Sequence, residues 1–306
     1  MTSIPGSDDP AASTPAVPDR LAADTAMGAV TLRVADLDAM IRYYRDAVTL
    51  DLISHDGPVA VLGRRGRPAV ILQHAPELRH ASPRSAGLFH TAILFDTREA
   101  LATALLSVAS KHPGSFTGSA DHLVSEAFYF DDPEGNGVEL YFDRERSAWS
   151  WTHGTIEMAT VFLDPNGYLR EHLSERGSAA AAAGTGLGDA GVGHVHLSVG
   201  DIASAREFYV RRLGFDETAT YGDQALFVSA GGYHHHMAMN TWQSRGAGRR
   251  RLALGLGKVE IVVPSGDDLG ELGERMAHYD VPTRHDGRTL AFDDPWANAV
   301  EVRTAR

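Results

Sequence analysis

The chain is an internal duplication, and this constrains its fold more than any other feature. Residues 130–140 (FDDPEGNGVEL) return as residues 292–302 (FDDPWANAVEV), and residues 34–37 (VADL) return at nearly the same spacing as residues 199–202 (VGDI). A repeat of this length means that each copy must form the same unit. The fold must therefore be built from at least two equivalent parts.

The duplication has a finer grain of four modules. Strand-like runs open at Gly28, Gly87, Gly193 and Gly257. Each run is followed by a helical pattern and then by further strand-like segments, so each module is predicted to be β-α-β-β-β. Asp36 and Asp201 are placed to cap the helices of the first and third modules.

One such curved sheet cannot cover its own concave face, so the modules should pair. We predict an α+β fold in which four β-α-β-β-β modules form two half-barrel cavities. The predicted division is a disordered N-terminal tail (1–27), a first two-module domain (28–146), a connecting segment and linker (147–191) and a second two-module domain (192–306). Within the connecting segment we expect a helix near residues 168–175 and a flexible Ala/Gly run at residues 179–191.

Composition excludes several classes of protein. The 306 residues include no cysteine, which rules out disulfides and thiolate metal sites. The net charge of −12 disfavours nucleic acid as a partner. No apolar run approaches the roughly 20 residues of a membrane-spanning helix, and residues 1–27 do not read as a secretory signal. We expect a cytoplasmic protein with neither nucleic acid nor membrane as a partner, and the oligomeric state, including a homo-oligomer, is left open.

Polar residues recur on the first and last strands of the modules. Because side chains alternate across a strand, His194, His196 and Ser198 should face one way. Aligning the opening glycines places four residues at one equivalent first-strand position: Thr31, His90, His196 and Glu260. The corresponding last-strand residues are Glu139, Glu301 and, from the histidine tract 234–236, His236.

A buried carboxylate beside histidines is costly unless a cation compensates its charge. Two histidines and one carboxylate with open positions form the set that binds non-haem Fe(II), and it also suits Mn(II), Ni(II) or Zn(II). The alternative is that Glu139 and Glu301 only support the turns that precede them. His122, in the loop before Ser125, is either an ordinary surface histidine or a group that moves protons near a metal.

These features resemble the vicinal oxygen chelate superfamily, which includes glyoxalase I, extradiol ring-cleaving dioxygenases and the fosfomycin- and bleomycin-resistance proteins. The four modules carry the resemblance over about residues 28–303, and the phrase Asp-Pro-x-Gly-Asn-x-x-Glu at residues 132–139 is a moderately specific signature of that group. Residues 231–236 with 240–242, and residues 121–127, look more closely like the bacterial subfamily labelled catechol-2,3-dioxygenase.

The resemblance implies which residues act. Extradiol enzymes hold Fe(II) with two first-strand histidines and one last-strand glutamate, so His90 and Glu139 match two ligands. His122 approximates the acid/base residue, displaced by about two positions, and Tyr129 matches a substrate-contacting tyrosine.

The remaining ligands depend on which modules pair. Pairing of modules two and three gives His90, Glu139 and His196, with His236 near a fourth position, and this is the hypothesis that we favour. Pairing of modules three and four gives a glyoxalase-like set: His196, His236, Glu260 and Glu301. Pairing of modules one and two leaves Thr31 in place of a ligand.

The expected function is a metal-dependent extradiol dioxygenase that acts on a small aromatic, catechol-type substrate with O2, and the expected metal is Fe(II). The first competitor is a glyoxalase-type isomerase or lyase using Ni(II) or Zn(II). The second is a ligand- or drug-binding protein without a metal, because the same fold hosts both kinds of function.

Overall fold

The elements of the chain follow the repeat, as a computed structural model that describes residues 20–305 shows. Every module has the order β-α-β-β-β. Module one contains β1 (Ala26–Val34), α1 (Leu37–Arg42), β2 (Asp51–Asp56), β3 (Val59–Arg64) and β4 (Arg67–His74). Module two contains β5 (Gly87–Phe95), α2 (Arg98–Lys111), β6 (Phe116–Asp121), β7 (Ser125–Asp131) and β8 (Gly137–Asp143).

The connecting segment is ordered. It contains β9 (Trp151–Thr152), β10 (Thr155–Ile156), α3 (Pro165–His172) and α4 (Glu175–Ala183). The ammonium of Lys111 in α2 donates to the carbonyl oxygen of Ala181 at 2.6 Å, which fixes α4 against module two. The expected flexible run is therefore helical as far as Ala183, and α3 begins three residues before the helix expected there.

The second half of the chain repeats the first. Module three contains β11 (Ala190–Ser198), α5 (Ile202–Arg206), β12 (Asp216–Tyr221), β13 (Ala225–Ser229) and β14 (Met237–Asn240). Module four contains β15 (Gly255–Val263), α6 (Gly266–His278), β16 (Thr283–His285), β17 (Thr289–Asp293) and β18 (Ala299–Thr304). The predicted module order is thus present four times.

The predicted N-terminal tail is too long at its C-terminal end. Leu21 is buried, and its amide donates to the carbonyl oxygen of Gly214 at 2.8 Å. Arg20 pairs with Asp216 in module three, and β1 already begins at Ala26. Residues 1–19 of that tail lie outside the part of the chain that the structure describes.

The modules pair across the connecting segment rather than within each half. The first sheet joins modules one and four in the order β16-β17-β18-β15-β1-β4-β3-β2. The second sheet joins modules two and three in the order β12-β13-β14-β11-β5-β8-β7-β6. The α+β fold with two half-barrels is confirmed, and modules two and three pair as the favoured hypothesis requires. The sheets do not follow the sequence division into residues 28–146 and 192–306, because each takes one module from either side of the connecting segment.

Both short helices begin as expected and then widen. Asp36 accepts from the amide of Ala39 at 2.9 Å, and Asp201 accepts from that of Ser204 at 2.7 Å. Each helix continues as a π-helical turn, over Tyr43–Ala47 and Glu207–Arg212. The wider turn directs a tyrosine hydroxyl from each repeat into the loop of the following module.

In each repeat, the aspartate of the Asp-Pro motif accepts a hydrogen bond from that hydroxyl. Asp132 accepts from the amides of Glu134 and Asn136, each at 2.9 Å, and from the hydroxyl of Tyr44 at 3.1 Å. Burial raises the pKa of Asp132 to about 6, although these hydrogen bonds oppose the shift. Because Tyr44 belongs to module one, which contributes to the first sheet, and Asp132 to module two, which contributes to the second, the contact connects the two halves of the fold.

The second copy of the phrase makes the equivalent contact. Asp294 accepts from the amides of Trp296 and Asn298 and from the hydroxyl of Tyr209 at 2.9 Å. Here Tyr209 belongs to module three, which contributes to the second sheet, and Asp294 to module four, which contributes to the first. The two sheets also share one continuous apolar core.

Candidate metal centre and active site

Three potential metal ligands meet on one face of the second sheet. His90 lies on β5, Glu139 on β8 and His194 on β11. Ala92 of β5 is the register partner of both Glu139 and His194, and it shares a face with His90 because it is two residues further on. The small alanine side chain leaves space between the three larger ones.

The three side chains are close enough to hold one ion. Nε2 of His90 lies 2.9 Å from Oε2 of Glu139, and Nε2 of His194 lies 3.0 Å from the same oxygen. Their ligand atoms all lie within 4.8 Å of one another. All three residues are buried, so water does not compensate the carboxylate.

The electrostatics suit a divalent cation. Burial alone would raise the pKa of Glu139, but contacts with His194 and His90 outweigh it and hold that pKa well below its usual value. Burial lowers the pKa of His194, which favours the neutral imidazole that binds metals. Nε2 of His90 is buried and lacks a partner with hydrogen-bond geometry within residues 20–305. A cation shared with Glu139 would satisfy this nitrogen, so the donor set fits the expected metal.

His122 and Tyr129 adjoin this triad. The hydroxyl of Tyr129 lies 2.7 Å from Nε2 of His122, and Nδ1 of His122 lies 2.6 Å from the carbonyl oxygen of Ala159. Since a carbonyl oxygen can only accept, Nδ1 carries the hydrogen and Nε2 accepts from Tyr129. Burial, and next the charge of Glu139, raise the pKa of Tyr129 well above its usual value, so it remains a neutral donor.

A tight turn places His122 there. Leu123 has a left-handed backbone (φ 69°), and its amide donates to the Asp121 carboxylate at 2.9 Å. The turn joins β6 to β7, which carries Tyr129. The sequence-based candidates His90, Glu139, His122 and Tyr129 therefore come together in one site.

Two expected ligands have other partners. Nε2 of His196 lies 3.0 Å from the side-chain amide nitrogen of Asn240, although its ring centroid is only 4.9 Å from that of His90. Nδ1 of His236 accepts from the amide of Ala230 at 3.2 Å. The ligand-distance group thus contains His194 where the sequence-based set had His196 and His236.

The alternative four-ligand set is divided between the sheets. His196 and His236 belong to the second sheet, whereas Glu260 and Glu301 lie on the first. Glu260 pairs with Arg303, and Glu301 pairs with the ammonium of Lys258 at 2.9 Å. Basic side chains thus already neutralise both carboxylates, and this set does not assemble.

The site also contains neighbours that sequence analysis left unassigned. The ring of His235 packs on that of His194, with centroids 4.1 Å apart. His234 lies next to His235 and contacts Asp143. The sequence signal for both residues is the run of three histidines at residues 234–236. Trp242 and Phe89, whose ring centroids are 5.2 Å apart, both pack on His196.

Comparisons with known proteins agree with this fold. The model of the glyoxalase/bleomycin resistance protein/dioxygenase superfamily matches residues 26–140 and 191–302. A Bacillus subtilis (strain 168) protein named catechol-2,3-dioxygenase is 35% identical over 281 residues, which cover 90% of this chain and 96% of that protein.

Solved structures show the same architecture at low identity. Glyoxalase I from Zea mays has a TM-score of 0.56 at 17% identity and covers 92% of each chain. The cppA protein from Streptococcus pneumoniae has a TM-score of 0.59 at 11% identity, covering 94% of this chain and 100% of that one. Within residues 20–305, no helix is long and apolar enough to cross a membrane. The match of the family model to both halves of the chain, together with the 35% identical relative, shows that the protein belongs to the glyoxalase/bleomycin resistance protein/dioxygenase superfamily.

Proposed function

We propose that this protein is a metal-dependent extradiol dioxygenase that opens the ring of a small catechol-type substrate with O2. The observation that carries the proposal is the buried set of His90, Glu139 and His194, whose two imidazoles and single carboxylate suit Fe(II). The 35% identical relative named catechol-2,3-dioxygenase supports the same reaction. The metal, when bound, would supply the redox chemistry by which O2 opens the aromatic ring.

The protein's own side chains would orient the substrate and manage its protons. Tyr129 remains a neutral hydrogen-bond donor because burial keeps its pKa high. His122 presents an unprotonated Nε2 on the Tyr129 side and can exchange a proton there, since Ala159 holds its other nitrogen as a donor. Phe89 and Trp242 offer aromatic surface beside the triad, which suits a flat ring.

The test compares two neighbouring histidines on one strand. His194→Ala removes a proposed ligand, whereas His196→Ala removes a ring of the same type that bonds Asn240. Anaerobically purified wild type and His196→Ala should each contain about one iron per chain, and His194→Ala should contain almost none. Wild type should consume O2 when catechol is added.

Other outcomes would replace the proposal. Stoichiometric nickel or zinc without O2 consumption would indicate a glyoxalase-type isomerase. No stoichiometric metal, even after reconstitution with Fe(II), would indicate a ligand-binding protein.

A further inference from the structure

A directed chain of hydrogen bonds ends at His235, beside the proposed ligand His194. Its members are buried or nearly so and lie on β8 or in the connection between β13 and β14: Tyr141, Tyr233, Asp143, His234 and His235. We infer that Asp143 and His234 are positioning residues that hold His235 in one tautomer, with its hydrogen on Nδ1 and a free lone pair on Nε2. The use of that lone pair in catalysis rests on the proposed function.

Counting hydrogens fixes the direction of the first half of the chain. The hydroxyl of Tyr233 donates to Oδ2 of Asp143 at 2.7 Å. A tyrosine hydroxyl has one hydrogen, so Tyr141, whose hydroxyl lies 2.8 Å away, must donate to Tyr233. Oδ2 of Asp143 therefore accepts at the end of this half of the chain.

The same reasoning orders the two histidines. Nε2 of His234 lies 2.8 Å from Oδ1 of Asp143 and must carry a hydrogen to donate to it. Nδ1 of His234 is then the acceptor in a neutral imidazole. Nδ1 of His235, 2.8 Å away, must donate to it, which leaves Nε2 of His235 without a hydrogen.

The free nitrogen is positioned for a ligand. His235 packs on His194 and on Phe227, with ring centroids 4.1 and 5.1 Å apart. Its Nε2 has no hydrogen bond to a residue in the range 20–305, although the residue retains 8% exposure. We assign it as the acceptor for a substrate hydroxyl.

The isosteric variant Asp143→Asn tests this assignment. Tyr233 still donates to the amide oxygen, so the new NH₂ group faces His234 and its Nε2 must accept. His234 then donates from Nδ1, which forces His235 into the opposite tautomer with its hydrogen on Nε2. Tyr233→Phe is the matched control, because it removes one bond to Asp143 and leaves the Asp143–His234 contact in place.

The first measurement is nitrogen-15 NMR of the metal-free protein, which reports the tautomer of each histidine without requiring activity. The inference predicts that His235 is protonated on Nδ1 in wild type and Tyr233→Phe, and on Nε2 in Asp143→Asn. A wild-type His235 protonated on Nε2 would overturn it even if the variant does not fold. An unchanged tautomer in folded Asp143→Asn would overturn it as well.

The second measurement is turnover of the iron-loaded protein. Asp143→Asn should lower kcat about 10²-fold or more, with iron content and KM near wild type, since a reversed tautomer presents a hydrogen where the free lone pair should be and leaves the metal ligands in place. A normal kcat despite a reversed tautomer would overturn the catalytic part of the inference. A correct tautomer pattern in a wild type that never consumes O2 with catechol would uphold the positioning and refute the proposed function instead.

Discussion

The backbone controls His122 through its Nδ1 contact with Ala159, and this makes His122 a residue whose removal should affect chemistry rather than folding. His122→Ala leaves the triad of His90, Glu139 and His194 intact. We expect iron content to stay at the wild-type level and kcat to fall by about 10²–10⁴. Oxygen uptake with catechol measures the loss. The control is His55→Ala, an exposed position on the first sheet, and equal rates in the two variants would show that His122 has no role in catalysis.

Close packing requires a glycine at position 193, directly before the proposed ligand His194. A Cβ at Gly193 would lie 1.8 Å from the hydroxyl oxygen of Tyr141 and 3.1 Å from Cβ of Leu94, whereas a Cβ at Gly191 would meet nothing within 4 Å. Tyr141 is buried and bonded to Tyr233, so it cannot move aside freely.

Two substitutions on one strand test this packing. Gly193→Ala should lower the free energy of unfolding by about 1–3 kcal/mol and weaken iron retention, because overpacking displaces its neighbour His194. Gly191→Ala should remain within about 0.5 kcal/mol of wild type. Urea unfolding of both variants measures the difference, and an equal effect at the two positions would contradict the role of Tyr141.

The choice between His194 and His196 shows a limit of reading ligands from sequence. Strand alternation correctly places both histidines on one face. However, the pairing of β11 with β5 shifts register between Val192 and His194 and again between His196 and Leu197. Between these shifts His196 is the register partner of His90, and counting from the opening glycine selects it, whereas the group within ligand distance contains His194.

The loop that begins at Asp132 makes an element-level prediction about pH. The folded pKa of about 6 exceeds the unfolded value of 3.8, so between these values the native state holds a proton that the unfolded chain has released. The stability contributed by Asp132 is therefore fully present below about pH 4 and is lost as the pH rises through about 6.

Asp132→Asn removes this titration, and the weakening of the loop's hydrogen bonds that it causes does not depend on pH. From pH 4 to pH 6.5 the variant should gain stability relative to wild type, by at most about 3 kcal/mol for a shift of this size. Urea unfolding across that range tests the slope. The control is Asp38→Asn, at an exposed position of α1, whose unfolding free energy should depend on pH as that of wild type does. If Asp132→Asn also showed the wild-type dependence, burial would not raise the pKa of the Asp132 carboxyl.

Elements with local signals could be predicted, and those stabilised by distant contacts could not. Asp36 and Asp201 cap helices whose apolar periodicity is visible in the sequence, so the module order follows from local reasoning. The part of the connecting segment that precedes α3 lacks such a pattern. Its Trp149 and Ile156 are buried against Tyr233 and Ala219, which lie far away in the sequence.

In the molecule as a whole, the two sheets differ in how the charges of their carboxylates are neutralised. On the second sheet, His90 and His194 flank Glu139 and leave its charge for a cation. On the first sheet, Lys258 and Arg303 pair with Glu301 and Glu260. A single metal per chain is therefore the expected stoichiometry, and the duplication explains the fold without implying two active sites.

The pairings of β1 with β15 and of β5 with β11, which join two modules within each sheet, lead to a prediction about dividing the chain. Fragment 1–186 holds half of each sheet, and fragment 187–306 holds the other halves. In isolation, fragment 1–186 would expose β1 and β5 as unpaired edge strands, and fragment 187–306 would expose β11 and β15. Unpaired edges of this length favour aggregation. Local sequence patterns cannot show which strand edges pair, so they suggest a division into consecutive domains.

Expressed alone, neither fragment should unfold cooperatively in urea or retain iron. Expressed together, the fragments should associate one to one and bind about one iron, because His90 and Glu139 come from the first and His194 from the second. The matched control is full-length protein cleaved between Gly186 and Leu187 after folding, which should keep both properties. Cooperative unfolding of fragment 1–186 by itself would show that modules one and two form an autonomous domain despite lying in different sheets.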